Sequence, residues 1–143
     1  MKANYTFFLV SILVISLSSI QCSQPKQETP HLVDRESFFR GELVYTQNCK
    51  GCHKANGKGF KNLYPPLAKS DFLLTYPEKS IHYIYNGTSD SIQVNGKSYN
   101  FQMPDNKHLT RQEIADVMTY IGNNWGNKAP SYDVKKINDI LTR

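Results

Sequence analysis

Cysteine is scarce in this chain: three occur in 143 residues, and only Cys49 and Cys52 stand close together. A structural zinc site takes four ligands, usually from two such cysteine pairs, so a single pair argues against one. His53, adjacent to Cys52, is also poorly placed to join the same tetrahedron. Lys and Arg are not gathered into a block interleaved with aromatics, so the net charge of +5 does not point to nucleic acid. That charge permits docking against an acidic protein instead. No apolar run is long enough to cross a bilayer, because the one candidate, Tyr5–Ile20, falls short of the roughly 20 residues required. No internal repeat divides the chain.

Lys2, the apolar run and the small residues that close it have the order of a secretory signal, expected over residues 1–21. Cys22 follows directly, and its position resembles a bacterial lipobox, in which Cys22 would be diacylated and become the mature N-terminus. Ser19, Ile20 and Gln21 depart from that pattern, and ordinary cleavage after Ser18 is the competing reading. Residues 22–33, with the polar, proline-bearing SQPKQETP, read as a flexible tether. Residues 34–127 read as one domain and residues 128–143 as a C-terminal extension. The chain is therefore expected to be exported, periplasmic or tethered to the outer face of a bacterial membrane through a lipid or anchor.

The domain reads as mostly helical. Asp34 is placed to cap a first helix reaching about Gln47, with Phe38, Gly41, Val44 and Tyr45 on one side. A glycine-rich polar stretch follows, then the rigid turn Tyr64–Leu67. Ser70 can cap a helical turn, and Pro77 suits the first position of a helix that stops at Gly87, with Ile81, Ile84 and Tyr85 facing inward. Ile92 and Val94 alternate before Asn95-Gly96, and Tyr99 follows it, which predicts a hairpin. Thr110 and Glu113 form a capping-box pair for a last strong helix that carries Ile114, Val117, Met118 and Ile121 and stops near Trp125–Asn127. Val134, Ile137 and Leu141 predict a short amphipathic helix in the extension.

The stretch CKGCH, Cys49–His53, has the C-x-x-C-H form of a c-type haem attachment site. Cys49 and Cys52 would form thioethers to the two vinyl groups, and His53 would ligate the iron from below the ring. A thiol–disulfide centre is the competing reading, but that motif normally follows a strand and opens a helix, whereas here a helix precedes it and a glycine-rich loop follows. A low-spin haem iron commonly takes Met opposite His. After the initiator only Met103 and Met118 are available. Met118 falls between Ile114 and Ile121 at core spacing, while Met103 lies in a loop and is stiffened by Pro104, so Met103 is the expected sixth ligand.

With these residues in place the chain resembles a class I c-type cytochrome over nearly all of residues 34–127. Gly41, Tyr45 and CKGCH are similar to that family's first helix and haem loop, and Val117 and Tyr120 to the positions on the last helix that meet it. The resemblance implies a mostly α fold, its helices packed around one covalently bound haem c, with a small β-hairpin before the Met-ligand loop. It implies that Pro65 or Pro66 offers the backbone carbonyl that orients the ligand imidazole, and that Leu67 packs on the haem face. YPPLAKSD, NGKSYNFQMP and TRQEIADVMTYIGNNWGN are similar to small cytochrome domains of bacterial respiratory chains. Those occur alone, as electron-transfer subunits of dehydrogenases, and fused to oxidase or reductase partners.

The implied function is single-electron transfer between redox protein partners (a dehydrogenase, reductase or oxidase) by Fe(III)/Fe(II) cycling, with no small-molecule substrate and no bond broken. Two readings from other classes stay open on the residues alone. One is a haem peroxidase or gas-binding protein with an open iron; the other is a thiol-redox or metal-binding module without haem. His31, His82 and His108 read as surface residues. Lys50, Lys54, Lys58 and Lys61 cluster around the haem loop and are either solvated surface or a steering ring for acidic partners.

Overall fold

The computed structural model describes residues 33–143. The expected signal segment 1–21, Cys22, most of the tether and His31 lie outside the described residues. Six helices and one hairpin follow in the order α1 Arg35–Asn48, α2 Lys50–His53, α3 Asp71–Thr75, α4 Pro77–Asn86, β1 Ile92–Val94, β2 Lys97–Tyr99, α5 Arg111–Gly122 and α6 Val134–Leu141. No described helix is long and apolar enough to cross a membrane.

Helix α1 begins where Asp34 accepts from the backbone N–H groups of Glu36 and Ser37, a cap that stabilises a helix by about 1 kcal/mol. Its buried line of Ser37, Gly41, Val44 and Tyr45 packs across α5. The crossing is close because Gly41 has no side chain: a Cβ there would overlap the carbonyl of Asp116 and press on Tyr120 Cβ. Helix α5 is fixed at its start by a reciprocal cap between Thr110 and Glu113 and is buried along its whole second half. It ends at Gly122, earlier than the expected stop near Trp125–Asn127. Asn123 turns its side-chain amide back onto the Thr119 carbonyl, and Trp125 takes a left-handed backbone (φ 50°), which a continuing helix excludes.

Trp125 then folds back to pack on Tyr45 and Tyr120, with ring centroids 5.1 and 5.5 Å away. At the same crossing the buried Asp116 accepts from Ser37 Oγ at 2.7 Å, from Arg40 Nε at 2.7 Å and from Gln112 Nε2 at 2.9 Å. Both oxygens of that carboxylate are thus partnered, one of them by the Arg40 cation, which is what allows a charge to sit there.

Ser70 caps α3 by accepting from the Leu73 N–H, and Pro77 opens α4, where its missing N–H costs nothing. The hairpin pairs Ile92 with Tyr99 and Val94 with Lys97 across Asn95-Gly96, both of which have positive φ, as a tight two-residue turn requires. The turn is pinned to the start of α3: Asn95 N–H donates to Asp71 Oδ1 at 2.7 Å, and Asp71 N–H donates to Asn95 Oδ1 at 3.1 Å. The extension forms α6, which buries Ile137 and Ile140 against α4 and α5.

Candidate functional site

The CKGCH stretch is not a plain loop. Residues Lys50–His53 make one helical turn that continues α1 after a break at Cys49. Lys54 then takes φ 67° and reverses the chain. Tyr45 Oη donates to the Lys54 carbonyl at 2.7 Å, so the reversal is anchored on the buried side of α1. The returning chain is held by Gly57, whose carbonyl accepts from the N–H groups of Leu67 and Ala68 at 2.7 and 2.9 Å. Gly57 has φ 64°, and any side chain there would collide with the ring of Trp125. These bonds bring the Tyr64–Leu67 turn beside His53.

His53 is buried, and its Nδ1 lies 3.0 Å from the carbonyl oxygen of Pro65. A carbonyl only accepts, so Nδ1 carries the proton and Nε2 keeps its lone pair. Burial lowers the His53 pKa and the bond to Pro65 opposes this; the net direction is downward, which keeps the imidazole neutral. Neutral imidazole is the form that ligates a metal.

Cys49, His53, Pro65, Leu67 and Met103 all line one apolar cleft, whose remaining wall is built by residues such as Leu73, Ile84, Ile92, Val117 and Ile121. An adjoining cavity shares His53, Pro65, Tyr83, Ile92 and Met103 with it and adds Cys52, Tyr64 and Phe101. Pro66 lines neither cavity, so of the two prolines it is Pro65 that meets the histidine. Met103 is half-buried, and its backbone pairs with Thr88 through two hydrogen bonds of 2.9 Å. Met118 is buried among α5 core residues and lines neither cavity. His108 is exposed and its Nε2 lies 3.0 Å from Asn48 Oδ1; His82 is half-buried on α4.

Cys49 and Cys52 are not joined to each other. Burial, with a smaller contribution from Cys52, pushes the Cys49 thiol up to about 12. A thiol–disulfide centre works through a thiolate whose pKa is lowered, so this environment opposes that use of the pair. The donor set fits a haem: an apolar cleft lined by a thiol, a neutral and oriented imidazole and a thioether, with the second thiol on the adjoining cleft. Among the described residues no group of three or more His, Cys, Asp or Glu side chains is arranged to hold a bare metal ion.

One tie escaped the sequence reading. Asn127 Nδ2 donates to the Leu67 and Ile121 carbonyls, both at 2.7 Å, and so fastens the Pro65–Leu67 wall to the end of α5. An Asn among the polar residues after a helix gives no local signal for a partner 60 positions away.

A family model described as cytochrome c matches residues 39–125. The chain is 34% identical over 101 residues to cytochrome c-552 of Thermus thermophilus, covering 68% of this chain and 72% of that protein. It is 32% identical over 102 residues to the cytochrome c subunit of a quinone alcohol dehydrogenase from Gluconobacter oxydans, covering 68% of this chain but only 21% of that subunit. It is 29% identical over 126 residues to the cytochrome c subunit of gluconate 2-dehydrogenase from Pantoea cypripedii, covering 85% of this chain and 28% of that subunit. The chain thus spans between 21% and 28% of the dehydrogenase subunits it matches.

Proposed function

The chain belongs to the cytochrome c family, and from that premise we propose that it is a monohaem carrier of single electrons between protein partners. The observation that supports this most is the convergence of Cys49, His53 and Met103 on one apolar cleft, with His53 oriented by Pro65. In this reading Cys49 and Cys52 would hold the haem covalently, each as the thioether that results when its S–H adds across one vinyl group. His53 Nε2 and Met103 Sδ would hold the haem iron. When bound, the haem supplies a reversible one-electron Fe(III)/Fe(II) couple.

The chain's own residues set the conditions for that couple. Pro65 holds the proton on His53 Nδ1 and raises the donor strength of Nε2. Leu67, Val117 and Ile121 exclude water from the cleft, and exclusion of water together with the ligand set fixes the potential. With both His53 and Met103 holding the iron no position would be left for a substrate or gas, which disfavours peroxidase or gas-binding chemistry.

The partner class that the relatives suggest is a dehydrogenase, since two of them are named as dehydrogenase cytochrome subunits. We assign the N-terminal segment to export, with Cys22 as the site of lipid attachment and the tether as the spacer from a membrane. The test is a spectroelectrochemical titration of the exported protein. The expected result is one reversible n = 1 transition with a c-type reduced spectrum. Two transitions, or a protein without haem, would reject the monohaem assignment.

A further inference from the structure

The Met103 loop is tied to one short piece of chain, the last residues of α4 and the two that follow it. Thr88 and Met103 exchange two backbone hydrogen bonds of 2.9 Å. Asn106, three residues beyond Met103, is buried and donates from Nδ2 to the Ile84 carbonyl at 3.0 Å and from its backbone N–H to the Tyr85 carbonyl at 3.3 Å. Gly87 makes the approach close: a Cβ there would come within 2.7 Å of the Met103 carbonyl oxygen and the Asp105 nitrogen. The position of the Met103 loop is therefore the position of residues 84–88.

Helix α4 is backed in turn by the C-terminal extension. Ile81 and Ile84 of α4 belong to the same buried cluster as Ile137 and Ile140 of α6, which are 0% and 2% exposed. Lys136 Nζ of α6 reaches Glu78 Oε1 at the start of α4 at 3.6 Å. The extension is itself sewn to α5, where the Ala129 N–H donates to the Gly122 carbonyl and the Tyr132 N–H to Thr119 Oγ1, both at 2.9 Å. Ile84 faces the haem cleft, whereas Ile137 and Ile140 line no part of it. The family match ends at residue 125, so α6 lies beyond it.

We infer that α6 is a buttress that presses α4 into place and thereby keeps Met103 in position at the sixth site, with Ile137 and Asn106 as positioning residues. This rests on Met103 being the sixth ligand. A packed helix has discrete seats rather than a continuum. Loss of the α6 contact should populate a conformer in which α4 and the attached loop have shifted and the thioether is withdrawn.

An external ligand binds only the fraction of molecules whose sixth site is open, so its apparent affinity reports that fraction directly. The probe is imidazole added to the ferric holoprotein, with binding followed by the visible spectrum. Ile137→Ala and Asn106→Ala should bind imidazole more tightly than the wild type, by about tenfold if the open fraction rises by that factor. Ile140→Val serves as a milder second variant and should move the same way by a smaller factor. Asp116→Asn, which loosens the α1–α5 crossing without touching α4 or the Met103 loop, is the control for a loss of stability alone. If Ile137→Ala binds no more tightly than Asp116→Asn at comparable thermal stability, the buttress is overturned. Met103→Ala separates the two levels. If it binds imidazole no better than the wild type, the ligand assignment itself fails and the buttress with it; if it binds far better while Ile137→Ala does not, only the buttress fails.

Discussion

His53 Nδ1 stands 3.0 Å from the Pro65 carbonyl oxygen, across a turn that the sequence marks with two successive prolines. The relationship fixes a tautomer, a ring plane and the electron-donating strength of the opposite nitrogen in one contact. Pro65→Ala keeps the carbonyl but releases the stiff turn that aims it. Weakening the bond removes electron density from His53 and stabilises the ferric state less, so the reduction potential should rise. A loss of roughly 0.5–1 kcal/mol in the bond's preference for the ferric over the ferrous state corresponds to roughly 20–40 mV for one electron. Cyclic voltammetry of both proteins checks this, and a fall in potential would contradict it.

Met103→Ala should lose the sulfur-to-iron charge-transfer absorption and leave the ferric haem high-spin or water-ligated. Met118→Leu, a volume-conserving change in the α5 core, should keep the absorption at a cost below about 1.5 kcal/mol. The pair of spectra assigns the thioether, because only one of the two methionines lines the cleft.

Gly41→Ala should destabilise the protein by about 1–3 kcal/mol, since the added methyl has no room between α1 and the Asp116 carbonyl. The intrinsic helix preference of Ala, about 1 kcal/mol over Gly, works in the opposite direction and is outweighed. The urea midpoint measures the loss. A stabilised variant would mean that the crossing is looser than the structure has it.

Asp116 gives the fold a pH dependence. Burial alone would raise its carboxyl pKa, but bonds from Arg40, Ser37 and Gln112 outweigh this and hold it below the usual carboxylate range. A carboxyl lowered on folding contributes stability above its unfolded pKa of about 3.9 and loses that contribution as pH falls through the folded value. Asp116→Asn should therefore be less stable than the wild type at pH 7 by roughly 1.5–3 kcal/mol, the range for hydrogen bonds to a charged group. The difference should shrink once the pH drops below about 4. Denaturation curves taken from pH 7 to pH 2 test the sign; a gap that widens in acid would refute it.

Local signals carried much of this structure into view. The Asp34 cap, the Thr110–Glu113 box, Pro77 at the start of α4 and Asn95-Gly96 in the hairpin each depend on residues within a few positions, and each element lies where those signals put it. The motif at Cys49–His53 and the loop methionine marked the cleft for the same reason. What stayed hidden was contact made across the chain: Asn127 to Leu67, Asp116 to Arg40, and the Thr88–Met103 bridge. Helix α5 ends three residues before the expected stop near Trp125–Asn127, because the Trp125 ring is claimed by Tyr45 and Tyr120 of the folded core. Which proline serves His53 is likewise a matter of turn geometry, and adjacent identical residues carry no sign of it.

The covalent attachment of haem is the claim on which the remaining assignments depend, and peptide mass spectrometry of the exported protein addresses it directly. The fragment containing Cys49, Cys52 and His53 should carry the mass of one haem, with neither thiol free to alkylate. A fragment at its bare mass, with both cysteines alkylated or joined in a disulfide, would contradict the account.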